Sequence, residues 1–236
     1  MKKLIDQLKE RFDNKTLLLG EQIGDRYRSD WSGTDAVTPG AVLRPTDTSE
    51  VSAILSLCNT HQQPVVTQGG MTGLAGGATP ETGEIALSLE RMTGIEEIDT
   101  DSMTMTLLAG TPLQQAQEAA LEAGCYLALD LGARGSCTIG GNVSTNAGGN
   151  QVVRYGMTRE LVLGLEAVLA DGRVIRSMNK VIKNNTGYDL KQLFVGSEGT
   201  LGVVTRVVLK LQPRPQATYT ALCAASDFKS LVRLFK

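Results

Sequence analysis

Two glycine-dense segments constrain this chain more than anything else in it: Gly69-Gly70-Met71-Thr72-Gly73-Leu74-Ala75-Gly76-Gly77-Ala78 and Gly140-Gly141-Asn142-Val143-Ser144-Thr145-Asn146-Ala147-Gly148-Gly149. Glycine lacks a Cβ, so successive N–H groups can turn inward at positive φ and converge on an anion. Thr72 and Thr145 add hydroxyl donors, and Asn142 and Asn146 can hydrogen-bond a ring edge or adopt the left-handed conformation. One such segment commonly marks a mobile surface loop. Two, each following an apolar stretch and each polar without charge, point to backbone amides gripping a large anionic ligand.

The familiar phosphate motifs do not fit. A P-loop requires Gly-Lys-Ser/Thr, and the first segment contains no lysine. A dinucleotide fold of the Rossmann type requires an amphipathic helix next, whereas Pro80 and Gly83 follow and Ile85 to Leu89 reads as a strand. The first segment therefore runs from strand to strand, with amides and hydroxyls rather than a helix dipole meeting the phosphate charge. A bulky planar ring system with a doubly charged linker needs close backbone approach along a groove, and we read the ligand as FAD.

The remaining composition narrows the class. At 236 residues the chain can bury a core as one large domain or two lobes. No apolar run approaches the ~20 residues that span a bilayer. A net charge of -2 with both signs interspersed argues against nucleic acid as a partner. Met1 to Phe12 reads as an amphipathic helix with Leu4, Ile5, Leu8 and Phe12 on one face, without a signal-peptide core, so a cytoplasmic location is expected. Cys58, Cys125, Cys137 and Cys223 form no C-x-x-C and read as free thiols. His61, the single histidine, falls in a helix-to-strand turn before Pro64, so no protein-built metal site is expected.

Caps and alternation outline the elements. Asp47-Thr48-Ser49-Glu50 reads as a capping box before a helix to about Asn59, and Pro64 to Thr67 as a buried strand leading into the first segment. Ile95 to Asp99 and Met103 to Ala109 read as an antiparallel pair. Thr111, Pro112 and Gln114 suggest cap, N1 and N3 of a helix closed by Gly124. Leu161 to Ala170 and Arg173 to Ser177 flank Asp171-Gly172, a hairpin expected to use a type I′ turn. Leu201 to Leu211 is a long strand ended by Pro213 and Pro215. The pattern is α+β, two lobes dividing near Arg91 to Ile95, with one glycine segment on each side.

Three stretches carry a resemblance: Leu129 to Gly149, including Gly132-Ala133-Arg134-Gly135-Ser136-Cys137-Thr138-Ile139-Gly140-Gly141; Arg154-Tyr155-Gly156 with Leu163 to Gly172; and Asn184-Asn185-Thr186-Gly187-Tyr188-Asp189-Leu190-Lys191-Gln192-Leu193-Phe194-Val195-Gly196-Ser197-Glu198-Gly199-Thr200-Leu201-Gly202. From Thr38 to Pro215 the chain resembles the FAD-binding (PCMH-type) domain of the vanillyl-alcohol oxidase superfamily. Within it the nearest group is the D-2-hydroxy-acid dehydrogenases acting on 2-hydroxyglutarate, lactate or glycolate. The resemblance implies a two-lobed domain with FAD between the lobes: a helical extension at 1–36, lobe 1 at 37–94, lobe 2 at 95–215, and the start of a truncated substrate domain at 216–236.

It also implies roles. Gly69, Gly70, Met71, Thr72, Gly73 and Leu74 would wrap the diphosphate, with Gly76, Gly77 and Ala78 continuing toward the ribityl chain and ring. Ser136, Cys137, Ile139, Gly140, Gly141, Asn142, Thr145, Asn146, Ala147 and Gly148 would line the isoalloxazine and ribityl. Glu198, Gly202 and Val203 would lie near the adenosine end. Relatives with covalent flavin carry histidine where this chain has Met71, and a linking cysteine would fall at Ser136, so FAD is expected to be non-covalent. Asp189 and Lys191 beside Tyr188 read as a surface or inter-lobe polar set, and Tyr27 and Trp31 as core or interface aromatics.

Such proteins continue into a substrate domain that carries the base, so this chain reads as a fragment, inactive alone, with no catalytic residue of its own. The full enzyme would pass a hydride from a D-2-hydroxy acid to the flavin and then electrons to a quinone, an electron-transfer flavoprotein or another carrier. The alternatives are the flavin domain of another superfamily oxidase and a non-catalytic flavin-binding subunit. Apolar surface left uncovered would favour self-association.

Overall fold

The first ninety-odd residues weave a small sheet whose faces are both covered. The computed structural model describes residues 2–234. Helix α1 (Lys2–Arg11) buries Leu4 and Leu8, and β1 (Leu17–Leu18) pairs antiparallel with β2 (Ala41–Leu43). Helix α2 (Thr48–Thr60) crosses to β3 (Val65–Gln68), and β4 (Ile85–Ser88) lies parallel to both β2 and β3, giving the order β1-β2-β4-β3. Strand alternation sorts the faces: Leu17, Ala41, Leu43, Ile85 and Leu87 point into the main core, and Leu18, Val42 and Ala86 pack with Ile23 and Tyr27 in a second cluster. Residues before position 37 are thus built into this sheet, one face of which they cover.

The second sheet is antiparallel. After β5 (Ile95–Asp99), β6 (Thr104–Leu108), helix α3 (Leu113–Glu122) and β7 (Cys125–Tyr126) come the short helices α4 (Ile139–Ser144), α5 (Val152–Tyr155) and α6 (Thr158–Leu161). Then follow β8 (Val162–Val168), β9 (Val174–Ser177), α7 (Lys191–Phe194), β10 (Val203–Lys210), β11 (Gln212–Pro213) and α8 (Phe228–Leu234). The strand order is β5-β6-β10-β8-β9, and one buried cluster runs through both sheets, from Leu4 and Ile54 to Leu107 and Val207.

Local signals are realised with instructive shifts. Asp47 caps α2 by accepting from the Ser49 and Glu50 amides, but Glu50 reaches back to the Thr46 amide at 2.7 Å, one residue beyond a capping box. Pro112, not Thr111, is the N-cap of α3. Thr111 Oγ1 instead accepts from Gly94 N at 3.0 Å and donates to Gly94 O at 3.1 Å, while the Leu113 and Gln114 amides go to Cys137 and Arg134 carbonyls. The β8–β9 turn is not type I′. Gly172 alone of residues 170–172 has positive φ (88°), and its amide donates to Leu169 O, a type I turn followed by a left-handed glycine. Within 216–236 the residues suggest a strand at Thr218 to Ala224 and a helix at Phe228 to Phe235; the first stretch is exposed and forms no strand, and the helix is α8, with Phe235 outside the described residues.

Hydrogen bonds tie the first lobe to the second sheet. Gly110 N, just past β6, donates to Met92 O in the crossover, where Thr111 also clasps Gly94. Thr48 at the start of α2 donates at 2.6 Å to Glu166 on β8, and Ser52 donates at 2.5 Å to Gly172 O. Glu166 is fully buried and also meets Thr205 Oγ1 at 3.0 Å and Arg176 Nε at 2.5 Å. Burial raises its pKa, but the hydrogen bonds from Thr48, Arg176 and Thr205 outweigh this and hold it below the ordinary glutamate value.

Candidate functional site

A cleft of about 680 Å³ opens where the two sheets meet. That lies within the roughly 300–1,000 Å³ of typical ligand sites. β3 delivers the first glycine segment to one wall, and it crosses without a helix to β4, as the sequence suggests. The second segment is not a loop at its start. Thr138 caps α4, its hydroxyl accepting from Gly141 N, and α4 packs on β10, so Gly140 and Gly141 are helical.

The two segments touch. A Cβ at Gly70 would lie 2.0 Å from the carbonyl oxygen of Ser136 and 2.8 Å from Cys137 Cα, so the backbones meet only because Gly70 has no side chain. This glycine is spent on joining the walls.

Gly69, Gly70, Met71, Thr72, Gly73, Leu74, Gly77 and Ala78 all line the cleft, as do Cys137, Gly140, Gly141, Asn142, Thr145, Asn146, Ala147, Gly148, Glu198 and Val203. Ser136, Ile139 and Gly202 do not. Ser136 spends its carbonyl on the contact with Gly70, Ile139 is 1% exposed in the core, and Gly202 faces a second cavity of about 410 Å³. Thr67, Gly199 and Val203 border both cavities. Sequence reasoning missed Asp30, Gln68 and Met157 in the cleft wall. Gln68, directly before Gly69, was within reach of a local reading; Asp30 and Met157 arrive only through tertiary packing.

The wall carries unspent polarity. Gln68 is fully buried and its Nε2 donates to Tyr27 O at 2.9 Å and Ala78 O at 3.0 Å, yet its Oε1 has no partner. Asn142 Nδ2 is likewise buried and unpartnered, whereas Asp30 Oδ2, also single, abuts Gly73 behind the first segment. Buried polar atoms left single are costly, and their clustering here fits a ligand rich in hydrogen-bonding groups. Backbone strain clusters too: Met71, Asn146 and Glu198 take φ of 57°, 46° and 51°. Burial pushes the Cys137 thiol pKa up, against a reactive thiolate in the wall.

Other candidates lie elsewhere. His61 caps the end of α2 and its Nε2 is 2.7 Å from Gln7 Oε1, away from the cleft wall. Tyr27 is core and its hydroxyl donates to Glu90 at 2.5 Å, whereas Trp31 is 73% exposed, not a core residue. Lys191 pairs with Asp189 at 2.6 Å beside an exposed Tyr188. Among the described residues no three His, Cys, Asp or Glu side chains gather as metal ligands, and no helix is long and apolar enough to cross a membrane.

The sequence profile of the FAD binding domain matches residues 39–177, across both glycine segments. The chain belongs to the FAD binding domain family. FAD is therefore its cofactor, and the unpartnered polar atoms and close-approach glycines of the cleft fit it. This FAD binding domain is 47% identical over 207 residues to the mitochondrial D-2-hydroxyglutarate dehydrogenase of Danio rerio, covering 88% of this chain and 39% of that protein. It is 41% identical over 211 residues to the D-2-hydroxyglutarate dehydrogenase of Xanthomonas citri pv. viticola, covering 89% and 45%. The chain thus spans less than half the length of these curated relatives. The solved alkyldihydroxyacetonephosphate synthase has the same fold, with a TM-score of 0.81 at 22% identity over 92% of this chain and 41% of that one.

The cytoplasmic expectation is overturned by these relatives. Those from Danio rerio, Bos taurus and Oryza sativa are mitochondrial by name, and an amphipathic first helix carries no information that excludes such a compartment.

Proposed function

We propose that this chain is the FAD-binding part of a flavin-dependent dehydrogenase that oxidises a D-2-hydroxy acid of the 2-hydroxyglutarate, lactate or glycolate class to the 2-oxo acid. The observation that carries the reading is 47% identity to a D-2-hydroxyglutarate dehydrogenase over 88% of this chain, spanning both walls of the cleft. We divide the chain into a lobe built on the first sheet, to residue 94, and a lobe built on the second, 95–215.

When bound, FAD would supply the acceptor for the hydride, with its two electrons, that leaves the substrate Cα, while the hydroxyl proton goes to a base. The protein's part is to bind and orient. Gly69 to Leu74 hold the diphosphate through amides and the Thr72 hydroxyl, and Gly77 and Ala78 continue the wall. Asn142, whose Nδ2 is unpartnered, and Thr145 to Gly148 face the ring and ribityl chain, where N–H donors stabilise negative charge on reduction. Glu198 and Val203 serve the adenosine end, and the adjoining cavity that includes Gly202 supports that placement. With methionine at position 71 and a buried thiol at Cys137, the cofactor is held non-covalently. No residue of the chain is assigned as base, so turnover requires further protein, with a quinone, a flavoprotein or another carrier taking the electrons. Exposed Phe228, Leu231, Val232 and Leu234 on α8 favour self-association of the isolated chain.

The visible spectrum of the purified chain, taken after FAD addition and gel filtration, tests the reading: a retained flavin spectrum, released by acid precipitation, is the expected result. Loss of all flavin from a folded chain would overturn it. Turnover of D-2-hydroxyglutarate, D-lactate and glycolate by the full-length protein then identifies the substrate.

A further inference from the structure

Residues 30–34 run along the first glycine segment and back it. A Cβ at Gly73 would lie 3.2 Å from Asp30 Oδ2, and one at Gly76 would meet Thr34 Cγ2 at 3.5 Å and Ser32 Oγ at 3.7 Å. Asp30 N donates to Thr79 Oγ1 at 3.1 Å, and Asp30 Oδ1 accepts from Ser32 N at 3.0 Å. Asp30 is 7% exposed, belongs to the cleft wall, and keeps one carboxylate oxygen unpartnered and shielded from solvent.

Burial raises the Asp30 pKa, but hydrogen bonds from Ser32, the Ala78 amide and Thr79 outweigh it and keep the carboxylate ionised. An ionised carboxylate facing the cofactor diphosphate would repel it. Oδ2 has no solvent exposure and abuts Gly73, so the charge sits behind the segment rather than in the open cleft. A glycine-rich loop left free would lose backbone entropy at every residue it orders on binding. Setting its shape beforehand removes that cost from the ligand's affinity.

We propose that Asp30 is a positioning residue for the cofactor, an anion behind the first glycine segment that presets its amides for the diphosphate. The inference rests on the FAD reading above. A Cβ at residue 73 would press on the carboxylate at 3.2 Å, so a side chain there displaces Asp30. This placement also ties the segment 30–34, far from the glycine motif in sequence, to cofactor affinity.

Isothermal titration calorimetry reads FAD, riboflavin and ADP on one scale, ADP included, which has no flavin to give an optical signal. Titrating the full chain with FAD, ADP and riboflavin separates the possibilities, because ADP carries the diphosphate and riboflavin has no phosphate. Asp30→Asn is expected to weaken FAD and ADP about tenfold each and to leave riboflavin unchanged, with the melting temperature of the FAD-free chain close to wild type. Thr79→Val, which removes the acceptor for Asp30 N, is expected to give the same selective loss and serves if Asp30→Asn does not fold. Gly73→Ala should cost less affinity in an Asp30→Ala background than alone. Equal weakening of all three ligands, or wild-type FAD affinity in Asp30→Asn, would overturn the inference. Failure of the wild-type chain to bind FAD would overturn the FAD reading and the inference with it.

Discussion

The two glycine segments have nearly the same composition and opposite architectures. The first is an irregular crossing between parallel strands, shaped from outside by Gln68, Asp30 and Thr79. The second begins as a capped helical turn, shaped from within: Asn142 N and Thr145 N bond back to Thr138 O and Gly141 O, and Gly140 N donates to Ala109 O just past β6. Left-handed residues differ in the same way. Asn146 tolerates φ of 46° and spends its Oδ1 on Arg159 N, whereas Met71 at 57° has no such compensation. Glycine richness therefore reports close approach, and does not say which backbone conformation produces it.

The contact between the segments is the first place to break the comparison. Gly70→Ala drives a Cβ into the Ser136 carbonyl, where backbone rather than a flexible side chain must yield. A loss of about 3 kcal/mol is expected in urea unfolding, with FAD binding abolished. Ordinary stability in that variant would show that the walls are free to separate.

Next comes the scaffold beneath both segments. Glu166→Gln leaves Thr48, Thr205 and Arg176 around a neutral group and is expected to cost about 3 kcal/mol. The folded-state pKa of Glu166 is lowered, so its contribution is complete above the unfolded glutamate value, near 4.3, and fades as pH falls through the folded value. Acid unfolding of the Gln variant should be correspondingly less steep; an unchanged acid limb would assign that stability to other groups.

Smaller effects sharpen the contrast between the walls. Asn142→Leu removes the orphaned Nδ2 and is expected to weaken FAD about tenfold, or ~1.4 kcal/mol, while leaving the FAD-free chain as stable as before. Met71→Gly should stabilise the FAD-free chain by about 1 kcal/mol through relief of left-handed strain, and Asn146→Gly should not, since Asn146 is compensated. Equal melting shifts in the two glycine variants would refute the asymmetry.

Much of this was legible in the residues because it is local. The Asp47 cap, the β5–β6 pair, the closure of α3 at Gly124 and the strand-to-strand run of the first segment follow from patterns a few residues long. The errors share a cause. Thr111 has the chemistry of a cap but clasps Gly94, and Asp171-Gly172 suggests one turn and makes another. Each was decided by a partner distant in sequence, which no local pattern encodes.

By itself the sequence determined the two glycine segments, the alternation of strand and helix around them, and the likeness to FAD-binding domains, since these rest on residue type and spacing. Only the tertiary structure decided that Gly70 joins the walls, that the second segment coils into α4, and that Asp30 stands behind Gly73. The reason is physical: periodicity states which face of an element is apolar, but the choice of what lies against that face is made by packing the whole chain at once.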